Sequence, residues 1–395
     1  MRREVLWLAG VRALSTLGSE VAVVALLLRL HDEGAGGWAV ASLLAAGTVP
    51  LALGAPLAGW LADSVDSRRL IAGSGLAQTI ACLLMAYTHN PVALLGLVAL
   101  TAFGSAVTGP ALVTLLVRMV PPQRFAAATS LQQGANMAAV LAGPAAGGVL
   151  TGLTGGATVP LLVDAGTFLV LSGFGVVIRV RKPVRTGPRP RWHGGFAVLL
   201  KDRPVAVIVG LLTVLILVGE GVSVAEVFLV RDTFAAGAAA FGALSAVFSG
   251  GALVGTVLSA GLASPGRALL VVASGSVGMA AGLVGVGLAG NLAEVFVCYA
   301  CAGTCAGVVN VAATALILLR TPESVIGRVQ AALNGLLRTA GAGALGLGGL
   351  ATGLFPPATV FLLSGTAIAL AVIVALTVLP ARSDAPGPHQ SAPLP

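Results

Sequence analysis

Twelve apolar stretches set the limits on what this chain can become. They fall at about 5–30, 37–62, 70–89, 91–118, 125–152 and 159–179, then at about 205–230, 238–262, 268–290, 292–319, 329–352 and 357–380. Each is near or above the roughly 20 residues that a helix needs to cross the hydrocarbon core of a bilayer. Only 9% of the chain is charged while 57% is hydrophobic, and the mean hydropathy is +1.00. A water-soluble domain carries charges at about a quarter of its positions, so this chain cannot cover itself with polar groups in water. In lipid each backbone N–H and C=O must be paired inside the segment, which makes helices the spanning element at these lengths. The expected fold is an all-α membrane protein of twelve transmembrane helices.

Residues 179–203 interrupt the apolar pattern. The segment RVRKPVRTGPRPRWHGGFAVLLKDR holds eight of the 22 Lys and Arg, against a single acid, Asp202. Pro183, Pro188, Pro190 and Gly187 discourage a long helix there. On either side the chain repeats itself. Residues 147–162, GGVLTGLTGGATVPLL, and residues 348–363, GGLATGLFPPATVFLL, are identical at ten of sixteen positions without a gap. An offset of 200 or 201 also pairs Glu20 with Glu220, Ser74-Gly75 with Ser274-Gly275, Pro121 with Pro322, and Gly134 with Gly335. The organisation expected is a first six-helix bundle over 1–179, a basic linker over 180–204, a second bundle over 205–380 and a disordered tail over 381–395. Six spans per copy give both copies the same orientation, a parallel repeat about an axis along the membrane normal.

Charge fixes the expected orientation. With the N-terminus inside, cytoplasmic segments hold Arg2, Arg3, Arg68, Arg69, Arg118, Arg124, the eight of the linker, Arg267, Arg320, Arg328 and Arg382, 18 of the 22 basic residues. Outer loops and helix ends hold Arg29 and Arg231. This is the positive-inside asymmetry, and it puts both termini in the cytoplasm of a plasma or inner membrane. The basic balance, pI about 10.3, lacks the aromatic-interleaved patch of a nucleic-acid binder. The first apolar run continues through Leu28, longer than the core of a signal peptide, and reads as the first span.

The loop after the second span reads Gly59-Trp-Leu-Ala-Asp63-Ser-Val-Asp66-Ser-Arg68-Arg69. Gly59 lets a neighbouring helix approach closely, and Asp63 at a helix end can pair with an arginine or a helix N-terminus. A contact that forms in one conformation and breaks in another biases a two-state equilibrium. The stretch resembles the G-x-L-a-D-r-x-g-r-r signature of the major facilitator superfamily, with Ser64, Asp66 and Ser67 departing from it. The resemblance implies a cytoplasmic gate latch formed by Gly59, Asp63, Arg68 and Arg69. In the fifth span Ala139-Val-Leu-Ala-Gly143-Pro144-Ala-Ala-Gly147-Gly148 resembles the G-x-x-x-G-P-x-x-G-G pattern of exporters in that superfamily. Pro144 removes a backbone hydrogen bond and bends the helix, while Gly143, Gly147 and Gly148 permit close packing. Ordinary helix packing is the alternative reading. Residues 163–168, VDAGTF, resemble an element of the branch containing bacterial siderophore and macrolide exporters.

Several ionisable residues fall inside the spans: Arg12, Glu20, Asp164, Glu220, Glu226, Glu294 near an outer end, and Arg338. An ionisable group at depth costs a few kcal/mol or more, so it reads as functional by default. Glu20 and Glu220 each lie fifteen residues beyond the start of equivalent spans, about 22 Å up their helices. Those spans line the central cavity in the superfamily that the chain resembles. The two glutamates are the first candidates for proton coupling and Asp164 the third. Arg12 and Arg338 are candidate cavity charges, with structural pairing, or headgroup contact for Glu226 and Glu294, as the alternative. Cys298, Cys301 and Cys305 have helical spacing but no His or carboxylate at matching depth, so they read as small packing residues and not as a metal site. No cofactor, Walker motif or paired nucleophile and base is present. The function expected is proton-coupled secondary active export, by a monomer, of a small, largely apolar molecule such as a drug, a siderophore or another natural product. Uptake of a small solute is the alternative, and a sensor or scaffold a further one.

Overall fold

A computed structural model describes residues 2–54, 57, 60, 61, 64–178, 201–259, 268–321 and 325–378. Gly59 and Asp63, most of the basic linker and the tail lie outside the described residues. Twelve α-helices and no strand are found among those described: α1 Arg2–Asp32, α2 Gly37–Leu53, α3 Ser67–Tyr87, α4 Pro91–Met119, α5 Pro122–Thr154, α6 Thr158–Val177, α7 Arg203–Phe228, α8 Ala238–Ser259, α9 Ala268–Leu288, α10 Leu292–Arg320, α11 Ile326–Leu354 and α12 Pro357–Val378. Ten segments are long and apolar enough to cross a membrane, and α2 is a shorter apolar helix. This is a multi-pass membrane protein with the twelve-helix architecture expected from the apolar stretches.

Polar residues between the stretches act mainly as caps. Asn90 accepts hydrogen bonds from the Val92 and Ala93 amides at 2.9 and 3.2 Å, just ahead of Pro91 in the first turn of α4. Asn291 accepts from the Glu294 amide at 3.0 Å, and the Glu294 carboxylate accepts from the Gly290 amide at 2.7 Å. That reciprocal arrangement is a capping box, so Glu294 serves the helix start. Asp66 accepts from the Arg68 amide at 2.9 Å and starts α3, which gives a physical reason for an aspartate there. The outer surface is apolar: Leu153 is 81% exposed and Val177 77%. Surface of that kind is stable only against lipid.

The packing of α1 to α6 recurs in α7 to α12. In the first half α1 packs on α5 and α6, α3 on α4 and α6, and α2 on α4. In the second, α7 packs on α11 and α12, α9 on α10 and α12, and α8 on α10. Each pair maps onto its counterpart six helices later. The two extensive contacts between halves, α5 with α8 and α2 with α11, exchange under the same operation. The internal repeat of the sequence is thus a pseudo-two-fold repeat of helix contacts.

The loop after α1 shows how the repeat is kept in register. Gly34, at φ +73°, is followed by an Ala35 amide bonded to the Leu30 carbonyl at 2.9 Å. In the second half Ala235, at φ +48°, is followed by an Ala236 amide bonded to the Val230 carbonyl at 2.9 Å. The first bond spans five residues and the second six. The extra residue is absorbed by a π-helical turn, Leu229–Thr233, that extends α7. The turn accounts for the start of α8 at Ala238, 201 residues after the start of α2 at Gly37, where Asp32 and Asp232 are 200 apart.

Candidate functional site

Between the halves lies a cavity of about 620 Å³, within the size range of small-molecule sites. Its wall is built largely from one stripe of α7, Leu212, Leu215, Ile216, Gly219, Glu220, Ser223 and Glu226, the i, i+3, i+4 set that one helix face presents. Facing that stripe are Glu20 of α1, Pro144 of α5, Ser245 and Phe248 of α8, Tyr299 and Asn310 of α10, and Asn334 of α11. Glu20 and Glu220, matched by depth in the sequence, therefore meet in one space. Neither side chain has a hydrogen bond or ion pair among the described residues.

Glu226 is the residue that sequence reasoning underrated. Instead of reaching a headgroup it is buried. Its carboxylate accepts a hydrogen bond from Ser245 Oγ at 2.7 Å, and Tyr299 of α10 lines the same cavity. Tyr299 is edge-on to Phe248, with ring centroids 5.7 Å apart. The signal was present in the i, i+3, i+6 run Glu220, Ser223, Glu226 of one apolar helix.

Asp164 lies elsewhere. It is buried on α6, accepting from Thr167 Oγ1 at 3.1 Å and from the Cys82 thiol at 3.4 Å. A β-carbon at Gly18 of α1 would lie 2.6 Å from its Oδ1. Asp164 therefore sits at the meeting of α1, α3 and α6, apart from the cavity wall. Neither Arg12 nor Arg338 lines the cavity: Arg12 is half-buried on α1 and Arg338 is exposed on α11. The Cys298 and Cys305 sulfurs press on Gly285 and Gly278 of α9, while Cys301 is exposed.

The glycines of α5 have defined partners. A β-carbon at Gly143 would lie 3.1 Å from Glu20 Cγ, and one at Gly147 would lie 2.9 Å from the Val21 carbonyl oxygen. Both hold α5 against α1. One at Gly148 would lie 3.0 Å from Gly242 Cα, so that glycine joins α5 to α8 across the halves. Pro144 lines the cavity, and its carbonyl abuts Gly242. In α11 Gly348 meets Gly221 of α7, and Gly349 meets Ala41 of α2, the same two contacts in the other half.

Those inter-half contacts sit at the end of the bundle where α1 stops, the far end. Polar side-chain contacts reinforce them there. Arg231 Nη2 donates to Asp32 Oδ1 at 2.6 Å, and His31 Nε2 is 2.7 Å from Asp232 Oδ1. A carboxylate only accepts, so that imidazole nitrogen carries the proton. His31 and Asp32 are the repeat counterparts of Arg231 and Asp232, so one contact is made twice under the pseudo-two-fold. Toward the opposite end the cavity reaches Thr314 and Gln330, within two turns of the ends of α10 and α11. There Arg68 Nη2 donates to the Val176 carbonyl at 2.5 Å, fastening α3 to the end of α6, and Arg69 is exposed.

Two matched helical bundles around a central cavity are the arrangement that fold and site define. The Major Facilitator Superfamily pattern matches residues 8–346, and the chain belongs to that family. The Multidrug resistance protein B homolog of Mycobacterium tuberculosis, in two strains, is 31% identical over 151 residues, 37% of this chain and 28% of the relative. The match thus spans little more than a quarter of the relatives' length. Among solved structures, a POT family transporter in complex with a thioalcohol-conjugated peptide superposes at TM-score 0.74 with 11% identity, covering 95% of this chain and 96% of the other. The nucleoside transporter NupG gives 0.75 with 12% identity, covering 95% and 98%. A bacterial homolog of the human lysosomal transporter Spinster, inward-facing and unoccupied, gives 0.68 with 16% identity, covering 95% of each.

Proposed function

We propose that this protein is a proton-coupled secondary transporter of a small organic solute, working as two six-helix bundles that rock about the central cavity. The observation that carries the reading is the pair Glu20 and Glu220, equivalent in the repeat, unpaired among the described residues and facing one cavity between the halves. A carboxyl in such a place can take up a proton on one side and release it on the other as its surroundings change. With the basic segments inside, the far end is external and the cavity of this structure is inward-facing. The pairs Arg231–Asp32 and His31–Asp232 then act as the external gate. Asp63, Arg68 and Arg69 act as the internal latch when the cavity faces outward.

Direction has two supports. The glycine–proline pattern of α5 and the printed name of the mycobacterial relatives favour export, as does the resemblance of residues 163–168 to siderophore and macrolide exporters. Peptide and nucleoside transporters matching nearly the whole chain favour uptake, and uptake has the broader support. Protein reconstituted in one orientation, with the pH gradient imposed each way, decides it. Accumulation with the proton flow is the result expected for uptake, and accumulation against it establishes exchange.

A further inference from the structure

We infer that the cavity is selective for amphiphilic organic cations, and that the solute needs no carboxylate of its own. This rests on the reading of the cavity as the transport site and adds the charge class of its occupant. Among the described residues, the wall presents three carboxylates, Glu20, Glu220 and Glu226, and no Lys, Arg or His. Two of the three have no partner. In a water-poor space an unpaired carboxylate is compensated either by a proton or by a cationic ligand, and it repels an anion.

Aromatic and apolar groups complete the recognition. Phe248, half-buried on the cavity wall and braced edge-to-face by the buried Tyr299, offers ring surface to a cation. Leu212, Leu215 and Ile216 of the α7 stripe are aliphatic and take the hydrophobic part of the molecule. A zwitterionic peptide or an anionic chelator would bring a carboxylate into this wall with no basic side chain to receive it.

Equilibrium binding to the full chain in lipid nanodiscs tests this with two ions of matched shape and opposite charge, labelled tetraphenylphosphonium and tetraphenylborate, and neutral triphenylphosphine oxide. Binding to empty nanodiscs is subtracted. The expected result is saturable binding of the phosphonium alone, weakened at least tenfold in Glu220→Gln and in Glu226→Gln. Each variant must elute monodisperse with an unchanged helical spectrum, and Ser245→Ala serves as a milder probe of the same corner. Absence of saturable phosphonium binding, equal binding of the borate or the neutral oxide, or undiminished binding in both glutamine variants overturns the inference. The transport reading fails separately: phosphonium binding intact, with no solute driven by a pH gradient in proteoliposomes, removes coupled transport and leaves the charge selectivity standing.

Discussion

At Gly143 the space for a side chain is already taken by the stem of Glu20, whose Cγ lies 3.1 Å from where a β-carbon would be, with the Leu17 carbonyl oxygen at 3.3 Å. The pattern read as a helix bend is thus also the seat of a candidate coupling residue. Gly143→Ala must displace Glu20 or push α1 from α5, an overpacking cost of about 1–3 kcal/mol. The expected outcome is reduced coupled transport with normal insertion, checked by flux measured against membrane abundance. By contrast Gly341 opposite Glu220 leaves 3.4 Å to its Cγ, ordinary contact, and Gly341→Ala is expected to keep most activity. The importance of Glu20 and Glu220 was legible because charge is rare in these spans and the repeat put both at one depth. Glu226 was harder to read, since its surroundings come from Ser245 of α8 and Tyr299 of α10, far along the chain. The distance of Arg12 and Arg338 from the cavity was also beyond the sequence, because helix rotation is set by glycine contacts with neighbours.

The ends of α1 and α7 show what a helical element contributes. α1 ends in His31-Asp32 and the π turn after α7 carries Arg231-Asp232, and both reach across to the other half, through Arg231–Asp32 and His31–Asp232. The carboxylates of these pairs are largely exposed, and exposed pairs contribute about 0.2–1 kcal/mol each. Asp32→Asn with Asp232→Asn should therefore shift the equilibrium toward the far-end-open state by several-fold without unfolding. A cysteine at Ser223 in the cavity, probed with an impermeant thiol reagent from the far side, should react correspondingly faster in the double variant. An unchanged rate would remove the gate role. The next loop carries Ala235 in the left-handed region, where the first half has Gly34. Ala235→Gly relieves a strain of about 1 kcal/mol, less the added entropy of the unfolded chain, and a modest rise in melting midpoint is expected. Neither pair was foreseen from sequence, although all four residues were visible. Their partners are two hundred residues away and are defined only by the closing of the halves.

For the whole molecule, the twelve-helix architecture was legible because hydropathy and span length bear directly on what lipid permits, and the strongest internal match, residues 147–162 with 348–363, covers the glycines that hold each half together. Direction and solute were not, since they depend on which side chains the folded cavity collects. Orientation is tested by single cysteines: one at Gly187 should label only from the cytoplasm and one at Gly36 only from outside. Asp63→Asn should insert normally yet transport slowly, because it removes a charge from the internal latch; a wild-type rate would assign Asp63 to the loop alone. The central claim, that protons move through the cavity on Glu20 and Glu220, is tested most directly in proteoliposomes under an imposed pH gradient. Using a labelled compound that the wild-type protein accumulates, Glu20→Gln, Glu220→Gln and the double variant are predicted to fall to the level of empty vesicles while retaining downhill exchange. Undiminished gradient-driven accumulation in both single variants and in the double would contradict the account.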